Sequence, residues 1–186
     1  KEIVQKVTKM PLEDYVQESF YTPLGLRNMS YLPRKKYDLD RIPPTEDDQA
    51  FRKQTVKGYV HDPGAAMLGG VGGHAGVFAS AEDLAVVMQL FLNEGSYGGK
   101  QYLKPEVVRE FTKKQFHDNR RGAGFDKPVT SLDGGPTCDK VSLKSFGHSG
   151  FTGTIAWADP EHGINYVFLS NRVYPNAENW KLVKMD

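Results

Sequence analysis

The sequence predicts an α/β chain of the α+β kind: an antiparallel sheet flanked by helices, with a small helical subdomain. Three observations carry that expectation. Apolar residues recur at helical spacing near the start of the chain and again over 84–91. Three short strand-like runs crowd into residues 142–170. Between the last two lies Asp159-Pro-Glu-His-Gly163, a turn short enough to make the meander antiparallel.

Taken in order, Ile3, Val4 and Val7, then Leu12, Tyr15, Val16 and Phe20, describe two helical pieces over residues 1–20. Pro11 suits the first turn of the second piece, and Glu13 and Asp14 favour its positive end. Pro23-Leu-Gly25 closes it. Ile3, Val7, Val16 and Phe20 are expected to pack on the sheet. Residues 30–59 are polar and proline-broken, and a stretch of that length without periodicity reads as a functional or mobile loop. A glycine-rich run, Gly69-Gly-Val-Gly-Gly-His-Ala-Gly76, then leads into a well-marked helix. Ser80 is its N-cap with Asp83 at the third position, and Leu84, Val87, Met88 and Phe91 form its apolar stripe. Asn93-Glu-Gly95 ends it. Pro105 opens a shorter helix to about Phe111, and residues 113–141 read as irregular. Strands are expected over 142–150, 152–158 and 164–170, followed by a C-terminal helix. One domain therefore spans 1–186, with a helical subdomain at 60–112 and the sheet strands and last helix at 142–186.

The totals narrow the function classes. With 186 residues the chain can bury one core. Lys plus Arg is 24 against 23 for Asp plus Glu, a net charge of +1, which argues against nucleic acid as a partner. The cluster Arg34-Lys35-Lys36 reads as a solvated loop. No apolar run approaches the roughly 18 to 20 residues that span a bilayer, so no membrane span is expected. A single cysteine, Cys138, leaves no internal disulfide. The chain opens at Lys1 inside a helix, without an initiator Met, and closes at Asp186 inside another. Both ends lead to the expectation of a piece cut from a longer protein.

Several motifs invite chemistry and lose to plainer readings. Gly70-x-Gly72-x-x-Ala75 fits a loose dinucleotide fingerprint, but no buried parallel strand precedes it and no βαβ unit follows. The glycines are read as permitting tight turns instead. His61, His74, His117, His148 and His162 form no metal-ligand spacing, and Cys138 has no partner, so neither a metal nor a cofactor is expected. His61 with Asp62, and His74, read as hydrogen-bonded loop anchors; His162 reads as solvated. Ser149 in Gly147-His-Ser-Gly150 resembles part of a nucleophile elbow, but Phe151 stands where glycine is needed and a strand, not a helix, follows. Tyr174-Pro-Asn176 is taken as coincidence. What remains is Ser145-Phe-Gly-His-Ser-Gly-Phe-Thr-Gly-Thr154, read as a strand whose end faces a substrate, with an ordinary edge strand as the plain alternative.

On these residues the chain resembles the C-terminal part of the serine β-lactamase-like superfamily, in its class C, esterase and penicillin-binding protein branch. Pro11-Leu-Glu-Asp-Tyr15 with Pro23-Leu-Gly-Leu26 resembles the helix and turn after that family's tyrosine motif. Gly69 to Leu84 resembles the glycine-rich entry to its helical part. Gly147-His-Ser-Gly-Phe-Thr-Gly153 resembles its active-site strand, and Val167-Phe-Leu-Ser-Asn-Arg172 its last strand. The resemblance implies a partial β-lactamase/transpeptidase-like fold. His148 would replace the strand lysine that supplies charge or a hydrogen bond near the nucleophile's proton path. Ser149, with Gly150 beside it, would bind the substrate's carboxylate or carbonyl. The backbone N–H of Phe151 would form half of an oxyanion hole. No serine in the chain is followed three residues later by lysine, so the Ser-x-x-Lys and tyrosine motifs would lie before residue 1.

The implied parent is a serine hydrolase working through an acyl-enzyme on an amide or ester: a β-lactam, a cell-wall peptide or an ester. Histidine in place of lysine tilts that choice away from β-lactams. The implied partners are that small-molecule or peptide substrate and a missing N-terminal half, or another chain, completing the fold; the implied location is periplasmic or secreted. The alternative is a non-catalytic module of the same fold that binds peptidoglycan or a partner domain.

Overall fold

The computed structural model describes residues 1–129 and 135–179. The chain forms two compact units, one of residues 1–80 and 170–186 and the other of residues 81–169. The boundary falls inside the 60–112 segment.

The first unit opens with α1 (Glu2–Thr8), which ends at Lys9 in a left-handed conformation. α2 (Leu12–Val16) follows and runs directly into a π-helical turn over Gln17–Tyr21. The expected burial of this region is corrected at its start. α1 buries no residue, and Ile3 and Val7 are 80% and 75% exposed, whereas Leu12 is buried. Helical spacing identified a helix but could not say whether its apolar stripe has anything to cover it.

The 30–59 stretch is also more ordered than its composition suggests. β1 (Ser30–Tyr31) is followed by two short 3₁₀ turns, then by the antiparallel hairpin β2 (Pro44–Asp48) and β3 (Gln54–Lys57). An ion network explains how so polar a segment forms a hairpin. Arg52 Nε lies 2.7 Å from Asp48 Oδ2, its Nη2 pairs with Glu46, and its Nη1 donates to the Val60 carbonyl at 2.6 Å. The Asp48 carboxylate also accepts the amides of Ala50, Phe51 and Arg52. The Arg52 side chain first, then the Phe51 amide, hold its pKa well below the usual carboxylate range.

α3 (Pro63–Met67) is capped by Asp62, whose Oδ1 accepts the Ala65 amide at 2.6 Å and sits 2.9 Å from His74 Nε2. His61 Nδ1 lies 2.9 Å from Glu46 Oε1. Both histidines are thus loop anchors. β4 (Val77–Phe78) pairs antiparallel with β1. The returning segment after residue 169 is tied to β2: Asn171 donates to the carbonyls of Pro44 and Thr45, and the Asp47 amide donates to Pro175.

The second unit is built on α4 (Ala81–Leu92), the helix expected from its stripe. A small hairpin of β5 (Ser96–Tyr97) and β6 (Lys100–Gln101) leads to α5 (Pro105–Thr112). The meander then runs β7 (Phe146–Ser149), β8 (Ile155–Asp159) and β9 (Ile164–Phe168), antiparallel throughout, in the order β7-β8-β9. β7 begins four residues later than expected. Residues 142–145 form a turn, fixed where Asp159 accepts both the amide and the hydroxyl of Ser142, at 2.7 and 2.6 Å.

One face of this sheet packs on α4. Met88, Phe146 and Ala158 form the buried cluster, joined by Phe91, Leu92, Phe125, Ala156 and Val167. Phe91, Phe125 and Phe146 meet edge to face with centroids 5.1–6.5 Å apart. Asn165 on that face donates to Gln89 at 3.0 Å. Ile164, Tyr166 and Phe168 alternate onto the other face of β9 and are exposed. The C-terminal helix expected after residue 172 falls largely on 180–186, outside the described residues. Among the described residues no helix is long and apolar enough to cross a membrane.

Candidate functional site

β7 is held in place from both sides. Phe146, 2% exposed, anchors it in the core under α4. On its other edge Asp126 pairs with Gly147, the amide of Asp126 donating to Gly147 at 2.7 Å and that of Gly147 donating back at 3.1 Å. Gly147 must be glycine because the indole of Trp157 on β8 lies across it; a Cβ would strike the Trp157 ring and the Ala156 carbonyl. These contacts fix where the next two side chains project.

His148 and Ser149 both stand exposed at the end of β7, on opposite faces because a strand alternates. The His148 ring is bonded at both nitrogens. Nδ1 lies 2.6 Å from the Ser149 carbonyl oxygen, and Nε2 lies 2.9 Å from Arg121 Nη1. A carbonyl only accepts and a guanidinium only donates, so Nδ1 carries the hydrogen and Nε2 presents its lone pair to Arg121. The imidazole therefore makes no bond to the Ser149 hydroxyl, which among the described residues has no adjacent base of the kind a nucleophilic serine needs.

Gly150 turns the chain: its amide donates to Thr154 at 2.7 Å, and the Gly153 amide donates back to Gly150 at 2.9 Å. Gly153 has a φ of 98°, open to glycine and avoided by residues with a Cβ. Phe151 lies within this turn and is 58% exposed. His148, Ser149, Gly150 and Phe151 are thus consecutive at one strand end, followed by a tight reversal.

Two groups that the sequence did not single out complete the surroundings. Arg121 is held by Asp126, whose Oδ2 lies 3.3 Å from Arg121 Nη1 and whose Oδ1 accepts Arg120 Nε at 2.7 Å. Asp126 is 2% exposed and also accepts the Lys127 amide. Arg120-Arg-Gly-Ala-Gly-Phe-Asp126 reads as a loop, and only its pairing with Gly147 brings it beside the triplet. Lys127 is buried below the strand, its Nζ donating to the Lys144 carbonyl at 2.9 Å and lying 5.8 Å from the Phe146 ring centroid. Burial pushes its ammonium down to about 8, with Asp159 opposing. Two clefts, of about 520 and 580 Å³, open beside Lys127, and neither is lined by His148 or Ser149.

His162 is bonded rather than merely solvated: its Nδ1 lies 2.9 Å from Asp159 Oδ2. Among the described residues no group of three His, Cys, Asp or Glu side chains is arranged to hold a metal ion.

The β-lactamase family model matches residues 1–182. The chain belongs to the β-lactamase family.

Within this family, a relative named "Putative D-alanyl-D-alanine carboxypeptidase" from Escherichia coli (strain K12) is 36% identical, covering 91% of this chain and 42% of its own length. Among solved structures, a penicillin-binding protein homologue from Caulobacter crescentus superposes with a TM-score of 0.59 at 24% identity, covering 91% of this chain and 49% of its own. A β-lactamase from Mycobacterium bovis superposes with a TM-score of 0.63 at 20% identity, covering 97% and 55%. At those identities the superpositions speak for the fold alone. The chain spans less than half the length of the curated relatives it matches. Family membership makes it part of a family of serine hydrolases with a partial β-lactamase fold.

Proposed function

We propose that this chain supplies one wall of a serine hydrolase active site whose nucleophile comes from sequence outside the chain. The observation that carries the reading is the end of β7, where His148, Ser149, Gly150 and Phe151 stand together beyond a strand clamped by Asp126 and Trp157. The substrate is an amide or ester acyl group. A cell-wall peptide is favoured among the candidates because the relatives reported above carry the name "Putative D-alanyl-D-alanine carboxypeptidase".

In the proposed reaction, an external serine oxygen attacks the substrate carbonyl and the bond to the leaving amine or alcohol breaks as that group takes a proton. Water then releases the acid and regenerates the serine. The Phe151 N–H stabilises the oxyanion, Ser149 and Gly150 orient the acyl group, and His148 lies beside the path of the proton. The 186-residue chain alone is not competent. Incubation with a fluorophosphonate, read by intact mass, should leave it unmodified and should modify a chain extended upstream through a Ser-x-x-Lys motif. Labelling of the short chain at Ser149, or none of the extended one, would refute the proposal; the latter result is what a non-catalytic binding module of the same fold would give.

A further inference from the structure

We infer that Arg121 is the positioning residue of this strand end, holding His148 in its Nδ1–H form with the Nε2 lone pair turned towards the guanidinium. The catalytic use of that arrangement rests on the function proposed above; the arrangement itself does not. An exposed imidazole at a strand end would ordinarily sample several rotamers and both tautomers. Here it has two partners of opposite character, a carbonyl 2.6 Å from Nδ1 and a guanidinium 2.9 Å from Nε2. Only one hydrogen placement satisfies both. Protonating Nε2 would set an N–H against the N–H of Arg121 and a cation against a cation.

The guanidinium is itself fixed. Nη1 bonds His148 Nε2 and forms an ion pair with Asp126 Oδ2 at 3.3 Å, and Asp126 is buried, bonded to Arg120 and to the Lys127 amide, and paired through its backbone with Gly147 of β7. Asp126, Arg121 and His148 therefore form a chain of fixed partners that begins and ends on β7. Its effect is twofold. The imidazole is oriented, and a permanent positive charge, the guanidinium, stands beside it, 45% exposed and open to solvent.

The test reads the ring nitrogens directly. In the 186-residue chain carrying ¹⁵N-histidine, two-bond ¹H–¹⁵N correlations at neutral pH should show His148 with a protonated Nδ1 and a bare Nε2. Arg121→Leu, which keeps the bulk and removes the donor, should shift the pair towards a mixed or Nε2–H pattern, while Arg121→Lys should largely restore the original one. A wild-type ring protonated on Nε2 would overturn the inference without any variant being needed. So would an Arg121→Leu ring indistinguishable from wild type in a protein whose backbone spectrum is otherwise unchanged. In an extended, acylating chain, Arg121→Leu should slow acylation roughly 10-fold or more. Failure of that extended chain to acylate at all would instead count against the proposed function, since the tautomer is read independently of activity.

Discussion

The indole N–H of Trp157 donates to the Oγ of Ser145 at 3.0 Å, and both residues are buried, so the middle strand of the sheet is pinned to the residue just before β7. The bond sets the depth of the indole, and the indole in turn defines the flat surface on which Gly147 rests. Ser145→Ala should leave a buried N–H without its acceptor and cost about 1–3 kcal/mol. Urea unfolding followed by tryptophan fluorescence checks it. An unchanged midpoint would mean that the bond contributes nothing to the fold.

Gly147→Ala should be worse tolerated. Its Cβ would meet the Ala156 carbonyl and the Trp157 ring, neither of them a flexible side-chain end, and relief requires β7 to separate from β8. Overpacking of this kind costs about 1–3 kcal/mol or more. Because His148 is the next residue, the ring contacts with Arg121 should weaken as well. Wild-type stability together with unaltered His148 resonances would refute the packing account.

His162 and Asp159 make stability depend on pH in a defined window. The hydrogen bond to Asp159, and then its charge, raise His162 above its ordinary value of 6.5. A raised folded-state value stabilises fully below the unfolded value and is lost as pH rises through the folded one. For Asp159, burial alone would push the carboxyl up. The hydrogen bonds from Ser142, His162 and the Glu161 amide outweigh it and leave the carboxyl below its ordinary 3.8. That contribution is present above 3.8 and lost as pH falls through the depressed value. The deficit of His162→Gln relative to wild type should therefore be largest near about pH 5 and shrink towards pH 8. Equal deficits at both would contradict the pairing.

Lys127 works in the opposite sense. With its ammonium pushed from 10.5 to about 8, the unfolded chain binds more protons than the folded one between those values. Stability of the wild type relative to Lys127→Met should consequently rise as pH increases from 8 to 10.5. Paired denaturation curves at the two ends of that range measure it, and a flat difference would place the ammonium in water.

What the sequence revealed follows the range of the forces involved. The α4 stripe and the β8–β9 turn are local signals, and both elements formed within a residue or two of their expected limits. The triplet at the end of β7 was equally legible, since strand, small residues and turn are contiguous. Arg121 and Asp126 were not, because their role depends on the pairing of Asp126 with Gly147 and on the contact of Arg121 with His148, 27 positions further along the chain. The β2–β3 hairpin was hidden for another reason: Arg52, Glu46 and Asp48 stabilise it through charge, which apolar periodicity does not report. Ile3 and Val7 show the converse, an apolar pattern with no burial behind it.

The most direct test of the central claim is the acylation rate of an extended chain carrying His148→Ala, measured with a fluorescent penicillin or an activated ester. With the imidazole beside the proton path, the variant should acylate roughly 10²-fold more slowly or worse, while retaining a wild-type unfolding midpoint. Acylation at the wild-type rate would contradict the account and leave His148 as an ordinary residue of an exposed strand.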